Sequence, residues 1–266
     1  MISLYRVAAL IFRSLMIMKR PLWFIEITYW TVLDVLIFGS MGVATAMMVP
    51  AETGTAIIQT LLTNSVLWYI ILRGAIHVGY ALLNELFDAN LIAIFATPLR
   101  IREWIFSCII TSAVEVTINL ILGLVVSLAV FGYNVFVLGS ATIPIIFSLM
   151  LFGWTIGLIL MSVLLFVGKR GSGLSFAICW SLVPFSCVYF PIEAFPLILQ
   201  KIVWMLPSAQ LFTAVRTIIM TGITPWHTII ASFWFNMPYL LGAALLFTLM
   251  FKRSKKQGLA RLELEW

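Results

Sequence analysis

The chain has 266 residues, 63% of them hydrophobic and only 10% charged, with a net charge of +6 and a mean hydropathy of +1.12. A soluble domain of this length needs far more charge to cover its surface, so the composition excludes one. Its apolar runs are too long for core helices and show no strand-like alternation over segments of roughly 10 residues. An all-α integral membrane protein is therefore predicted, because helices satisfy their own backbone in lipid.

Residues 1–20 are apolar but interrupted by Arg6, Arg13, Lys19 and Arg20. Arg6, Arg13 and Arg20 recur every seven residues and share one helical face, while Leu4, Ala8, Ile11 and Leu15 fall on another. That pattern predicts an amphipathic helix lying in the membrane plane with its bases toward lipid headgroups. A signal peptide does not fit, since Arg13 breaks the apolar run and no small-residue cleavage site follows. Pro21 then separates this helix from the first span.

Six spans are predicted over 22–44, 56–83, 103–131, 141–168, 173–189 and 229–251. Between the second and third lies 84–102, NELFDANLIAIFATPLRIR, which carries Glu85, Asp88, Pro98, Arg100 and Arg102. In a chain this poor in charge, such a segment belongs in water or against another protein. Its apolar middle from Leu91 to Phe95 is odd for a freely solvated loop. Between the fifth and sixth spans, 190–226 is too apolar for an ordinary loop, and its prolines leave no room for two full crossings. Two short helices fit there, near 196–206 and 208–221, dipping into or capping the outer leaflet. Ser208 is the expected N-cap and Gly222 the expected stop.

Lysine and arginine placement orients the chain. With the N-terminus in the cytoplasm, thirteen of the sixteen bases lie inside: Arg6, Arg13, Lys19, Arg20, Arg100, Arg102, Lys169, Arg170, Lys252, Arg253, Lys255, Lys256 and Arg261. Lys201 and Arg216 lie outside, and Arg73 sits within a span. Both termini are thus expected in the cytoplasm, including the 252–266 tail, and the basic balance needs no nucleic acid to explain it.

Asp34, Arg73 and Glu115 each lie about ten residues from an inner span end, roughly 15 Å deep at about 1.5 Å per residue. Charges at that depth are costly alone, so Arg73 is expected to pair with Asp34, Glu115 or both, with His77 one turn away on the same face. A packing lock between helices and a polar lining of a transport path both fit this cluster. Gly153 and Gly157 form a GxxxG on the fourth span, suited to close helix approach or to a dimer contact. Trp23, Trp104 and Trp226 at span ends are expected as interfacial anchors. Cys108, Cys179 and Cys187 lie in apolar stretches with no metal-ligand spacing and are expected as buried thiols.

No catalytic signature is present. Gly168-Lys169 is followed by Arg170, and Val163 stands where a phosphate loop needs its first glycine. Neither HExxH nor GxSxG occurs. A non-catalytic chain that holds no metal or cofactor of its own is expected.

The layout resembles the ABC-transporter permeases of the second exporter type. The likeness rests on YFPIEAFP from Tyr189, then Pro207, Arg216 and Gly222 before the last span. It rests also on Glu85 through Pro98-Leu99-Arg100, and on RPLWFIEITYWTVLDVLIFG in the first span. The resemblance implies a half-transporter of the cytoplasmic (inner) membrane, two permease chains pairing, as a homodimer in preference to a heterodimer. Each would bind a separate ATPase that holds ATP and Mg. It implies that the N-terminal helix (Arg6, Arg13) and Glu85, Asp88, Leu91, Pro98, Arg100 and Arg102 contact that ATPase. The export path would run along spans two and five, under an outer lid marked by Pro191, Pro196, Pro207, Arg216 and Gly222. An amphiphilic or hydrophobic compound, or a lipid-linked glycan, would be the cargo. An ion-coupled secondary transporter using Asp34, Arg73, His77 and Glu115 as a proton relay is the competing reading, although no inverted repeat supports it.

Overall fold

The computed structural model describes residues 3–19, 21–88 and 90–258; Arg20 and the tail segment 259–266 with Arg261, expected on the inner side, lie outside the described residues. The described residues form ten α-helices: α1 Leu4–Met18, α2 Pro21–Ala46, α3 Ala51–Phe87, α4 Leu91–Ala96, α5 Ile101–Phe131, α6 Thr142–Val167, α7 Ser172–Phe185, α8 Leu197–Val203, α9 Pro207–Thr221 and α10 Trp226–Gln257. Among the described residues all regular structure is helical. Five stretches are long and apolar enough to cross a membrane: Trp23–Ala46, Ala51–Phe87, Ile101–Phe131, Phe136–Phe185 and Trp226–Gln257.

Helix α3 forms the axis of the bundle. In its most apolar window 78% of residues are buried, against 29%, 28% and 22% for α2, α5 and α10. Helix α6 runs parallel to α3, with Gly153 against Ile71 and Gly157 against Ala75 and Val78. Helix α5 runs antiparallel: Ser112 donates to the Gly74 carbonyl at 3.4 Å, and Thr63 lies beside Tyr133 at the far end. Helix α10 follows α6 in parallel, joined to it by Asn236 donating to the Ser148 carbonyl at 3.0 Å. The GxxxG of α6 is thus filled by α3 of the same chain. A Cβ on Gly157 would come within 2.6 Å of the Val78 Cβ, and one on Gly153 within 2.9 Å of the Ile71 carbonyl oxygen.

The stretch Phe136–Phe185 is not one straight rod. Gly168 takes φ 74° and ψ −156°, a region that disfavours any side chain, and a tight turn follows over Gly168–Gly171. Beyond it α7 runs back along α3. Phe176 and Trp180 face the same cavity as Tyr80, whereas Val188 accepts a hydrogen bond from Asn64 at 2.6 Å.

Helices α8 and α9 bend against each other by 101°. Ser208 does not cap α9. The helix begins at Pro207, whose missing N–H suits a first helical position, and Leu206 precedes it. The Ser208 hydroxyl donates instead to Ser186 at 2.9 Å. Gly222 ends the helix in the left-handed conformation, φ 70°, as expected.

The two ends of the bundle differ in charge. Helix α1, α4, the turn bearing Lys169 and Arg170, and the basic end of α10 gather at one end, where Phe95 of α4 packs on Phe251 at 5.1 Å. Arg253 sits over Phe166 there. Lys201 of α8 and Arg216 of α9 belong to the opposite end.

Because α3 and α6 meet backbone to side chain at Gly157, Gly157→Ala is expected to lower stability by about 1–3 kcal/mol through overpacking. Gly242→Ala on α10, where a Cβ meets nothing within 4 Å, is expected to leave stability unchanged or raised. Thermal unfolding of the two variants in detergent checks the contrast.

Candidate functional site

Along α3, Tyr69, Arg73, His77, Tyr80, Asn84 and Asp88 follow one another at steps of three or four residues and so occupy one side of the helix. This stripe forms the floor of a cavity of about 380 Å³. Helix α2 contributes Trp23, Glu26 and Trp30, α7 contributes Phe176 and Trp180, α1 contributes Arg13 and α5 contributes Glu115. Arg13 and Asp88 place one margin of the cavity at the cation-rich end of the bundle. The remainder extends to the middle of α3.

Of the four ionisable residues expected at mid-depth, His77 and Glu115 are in direct contact, and Arg73 is near enough to Asp34 to act on it electrostatically. The Arg73 guanidinium acts electrostatically on Asp34 and stands 5.7 Å from the centre of the Tyr69 ring. The Tyr69 hydroxyl, beside Asp34, donates to the Trp30 carbonyl at 2.8 Å. Asp34 is buried, and its Oδ2 has no hydrogen-bond partner. Glu115 contacts the Nδ1 of His77, while the Nε2 of that ring lies 2.9 Å from the Thr111 hydroxyl. Arg73, His77 and Glu115 line the cavity; Asp34 lies behind its wall. Such pairing is what low-dielectric surroundings demand of buried charge.

At the cation-rich end α1 is fastened to two helices. Arg13 pairs with Glu85 near the end of α3 at 2.8 Å, and Arg6 lies 3.6 Å from Glu103 at the start of α5. The Ser3 N–H also donates to Glu103, at 2.7 Å, and the other oxygen of that carboxylate takes the Arg100 N–H at 3.0 Å. The two described arginines of α1 therefore turn toward protein carboxylates, where headgroups were expected. Leu91 is fully buried, and Phe95 packs on Trp104 and Phe251. Leu91 and Phe95 of the apolar middle of 84–102 thus face the bundle. Asp88, Pro98, Arg100 and Arg102 remain exposed. Trp104 is buried and Trp23 faces the cavity, so neither matches the anchoring role expected of it; Trp226 is exposed. Beside the Arg13–Glu85 pair, Phe12, Met16 and Phe87 border a surface groove closed by Asp88.

At the opposite end the proline-marked segment is half buried. Pro191 and Pro196 precede short helical turns and are exposed, whereas Pro207 and the Leu211, Phe212 and Val215 side of α9 are buried against the bundle. Arg216 donates to the Cys187 carbonyl at 3.3 Å. All three cysteines are buried. Among the described residues no group of His, Cys, Asp and Glu is arranged to hold a metal ion.

Sequence reasoning missed Glu103, placed at a span start, and the aromatic and acidic lining of α2 and α7. The signals were present. Trp23 and Trp30 lie seven residues apart, Phe176 and Trp180 four apart, and the α3 stripe repeats at helical spacing. Since Arg13–Glu85 fastens α1 over the cavity that Cys108 lines, Glu85→Arg is expected to speed maleimide labelling of Cys108 several-fold. The double variant Arg13→Glu/Glu85→Arg is expected to restore slow labelling, read by mass spectrometry at that residue. The chain matches no protein-family model and no curated protein in sequence.

Proposed function

We propose that the chain is the membrane permease subunit of an ATP-driven ABC exporter of the second type, moving an amphiphilic or hydrophobic compound or a lipid-linked glycan outward. In this reading α6 and α7 are separate crossings, which gives six with α2, α3, α5 and α10. Helix α1 lies at the inner membrane surface, and α8–α9 form the outer lid with Pro191, Pro196, Pro207, Arg216 and Gly222. The cation-rich end is cytoplasmic by the positive-inside rule, so in this reading both termini lie on the cytoplasmic side of the inner membrane.

One observation carries the reading. The Arg13–Glu85 pair that fastens α1 is also part of the cavity wall. Force applied at the inner surface therefore reaches the cavity through rigid helices, without a separate linkage. A partner ATPase, holding ATP and Mg, would seat on the exposed Asp88, Pro98, Arg100 and Arg102 and on the neighbouring groove. Arg6, Arg13, Glu85 and Leu91 would hold the platform in shape from within. Charged, exposed contacts suit a docking that must be reversible. A second permease chain, most simply an identical one, would close the cavity along α3 and α7.

The contact between His77 and Glu115 at the cavity wall favours a second reading, a proton-coupled transporter with Asp34 and Arg73 completing the relay. Co-purification from the native membrane followed by reconstitution separates the two. The exporter reading expects an ATP-binding-cassette ATPase to accompany the chain, transport to require ATP, and Asp88→Arg/Arg102→Glu to lose the ATPase while still folding. Transport driven by a proton gradient without ATP, and abolished by His77→Gln, would establish the second reading.

A further inference from the structure

We infer that the cavity accepts a lipophilic organic cation, an amine or quaternary ammonium carried on a hydrophobic skeleton. Calling that cation a cargo rests on the exporter reading; the charge argument does not.

Among the described residues the wall holds four carboxylates, Glu26, Glu85, Asp88 and Glu115, against two guanidinium groups, Arg13 and Arg73. Each guanidinium group has a carboxylate in its neighbourhood. Arg13 is bound to Glu85 at 2.8 Å, and Arg73 acts on Asp34, a fifth carboxylate just behind the wall. Glu115 has His77, so that pair is neutral when the imidazole is protonated and negative when it is not. Glu26 and Asp88 make no ion pair among the described residues. Among the described residues the wall is therefore net negative in either state of His77.

An anion would be repelled by that balance. A neutral compound would strip water from the carboxylates and return nothing for it. A cation offsets the charge and gains from the second property of the wall, its aromatic faces. Trp23 and Trp30 of α2, Tyr80 of α3 and Trp180 of α7 line the cavity together, and Glu26 is close enough to Tyr80 to act on it electrostatically. Indole and phenol rings stabilise an ammonium over their faces and cover hydrophobic carbon with the same surface. A volume of about 380 Å³ suits a drug-sized molecule. Carboxylate excess and aromatic faces thus select the same ligand chemistry.

Tetraphenylphosphonium and tetraphenylborate, alike in size and hydrophobicity but opposite in charge, test the inference by equilibrium dialysis against the detergent-purified full chain, with empty micelles as blank. Saturable binding of the phosphonium is expected, with the borate held only as far as the blank holds it. Glu26→Gln is expected to weaken phosphonium binding by about fivefold or more, and Trp180→Ala comparably. Glu26 is exposed on the second turn of α2, so Glu26→Gln carries the test if Trp180→Ala fails to fold. Equal saturable binding of the borate, or unchanged phosphonium affinity in Glu26→Gln, would overturn the inference. Adding phosphatidylcholine identifies the source of the cation: competition points to a lipid headgroup, and its absence to a soluble amine. No ATPase or ATP enters this measurement, so failure of the exporter reading leaves its result intact, and the converse holds.

Discussion

A helix buried on most of its circumference that nevertheless carries an arginine, a histidine and a glutamate needs a neighbour for each of them, and α3 sets the arrangement of the bundle by that requirement. Asp34 and α2 lie on the Arg73 side, Glu115 and α5 on the His77 side, and Arg13 of α1 at Glu85. On another side glycines of α6 let two backbones approach closely, which supplies the dispersion energy that lipid-solvated helices cannot gain from water. The polar partners fix the rotation of α2 and α5 about α3; the glycines fix the separation of α6.

This arrangement leaves a cavity where the polar stripe of α3 is incompletely covered. Helices α2 and α7 flank it, and aromatic residues of both line it. The site is therefore a by-product of the same stripe that orders the helices. Structure and candidate function depend on one set of side chains, and a change at Arg73 or Glu85 touches both.

Much of this was legible in the sequence, for identifiable reasons. Helix α10, the end of α9 at Gly222 and the reversal at Gly168 follow from long apolar runs and from glycines in conformations other residues disfavour. That Arg73 has a carboxylate, Asp34, in its neighbourhood follows from the expense of solitary charge at depth. The destination of the 84–102 charges was not legible. Glu85 and Leu91 look outward in one dimension, yet Glu85 meets Arg13 seventy-two positions earlier and Leu91, opening α4, is buried in the bundle. Exposure of a short helix depends on which distant element reaches it first, and local pattern does not encode that. Likewise Trp104 reads as an interfacial anchor by its position, but Phe95 of α4 claims it. The cavity itself is formed from five helices, and each contributes residues whose individual spacing is ordinary.

Helix α3 has 37 residues. At about 1.5 Å per residue it is roughly 55 Å long, nearly twice the hydrocarbon thickness of about 30 Å. Such a rod must lean, or stand proud of the lipid, and its end bearing Glu85 and Asp88 then rises and falls with the width of the sheet it crosses. Acyl-chain length becomes a physical setting on the molecule: a thinner bilayer lifts the cavity margin toward water, and a thicker one draws it down among the headgroups.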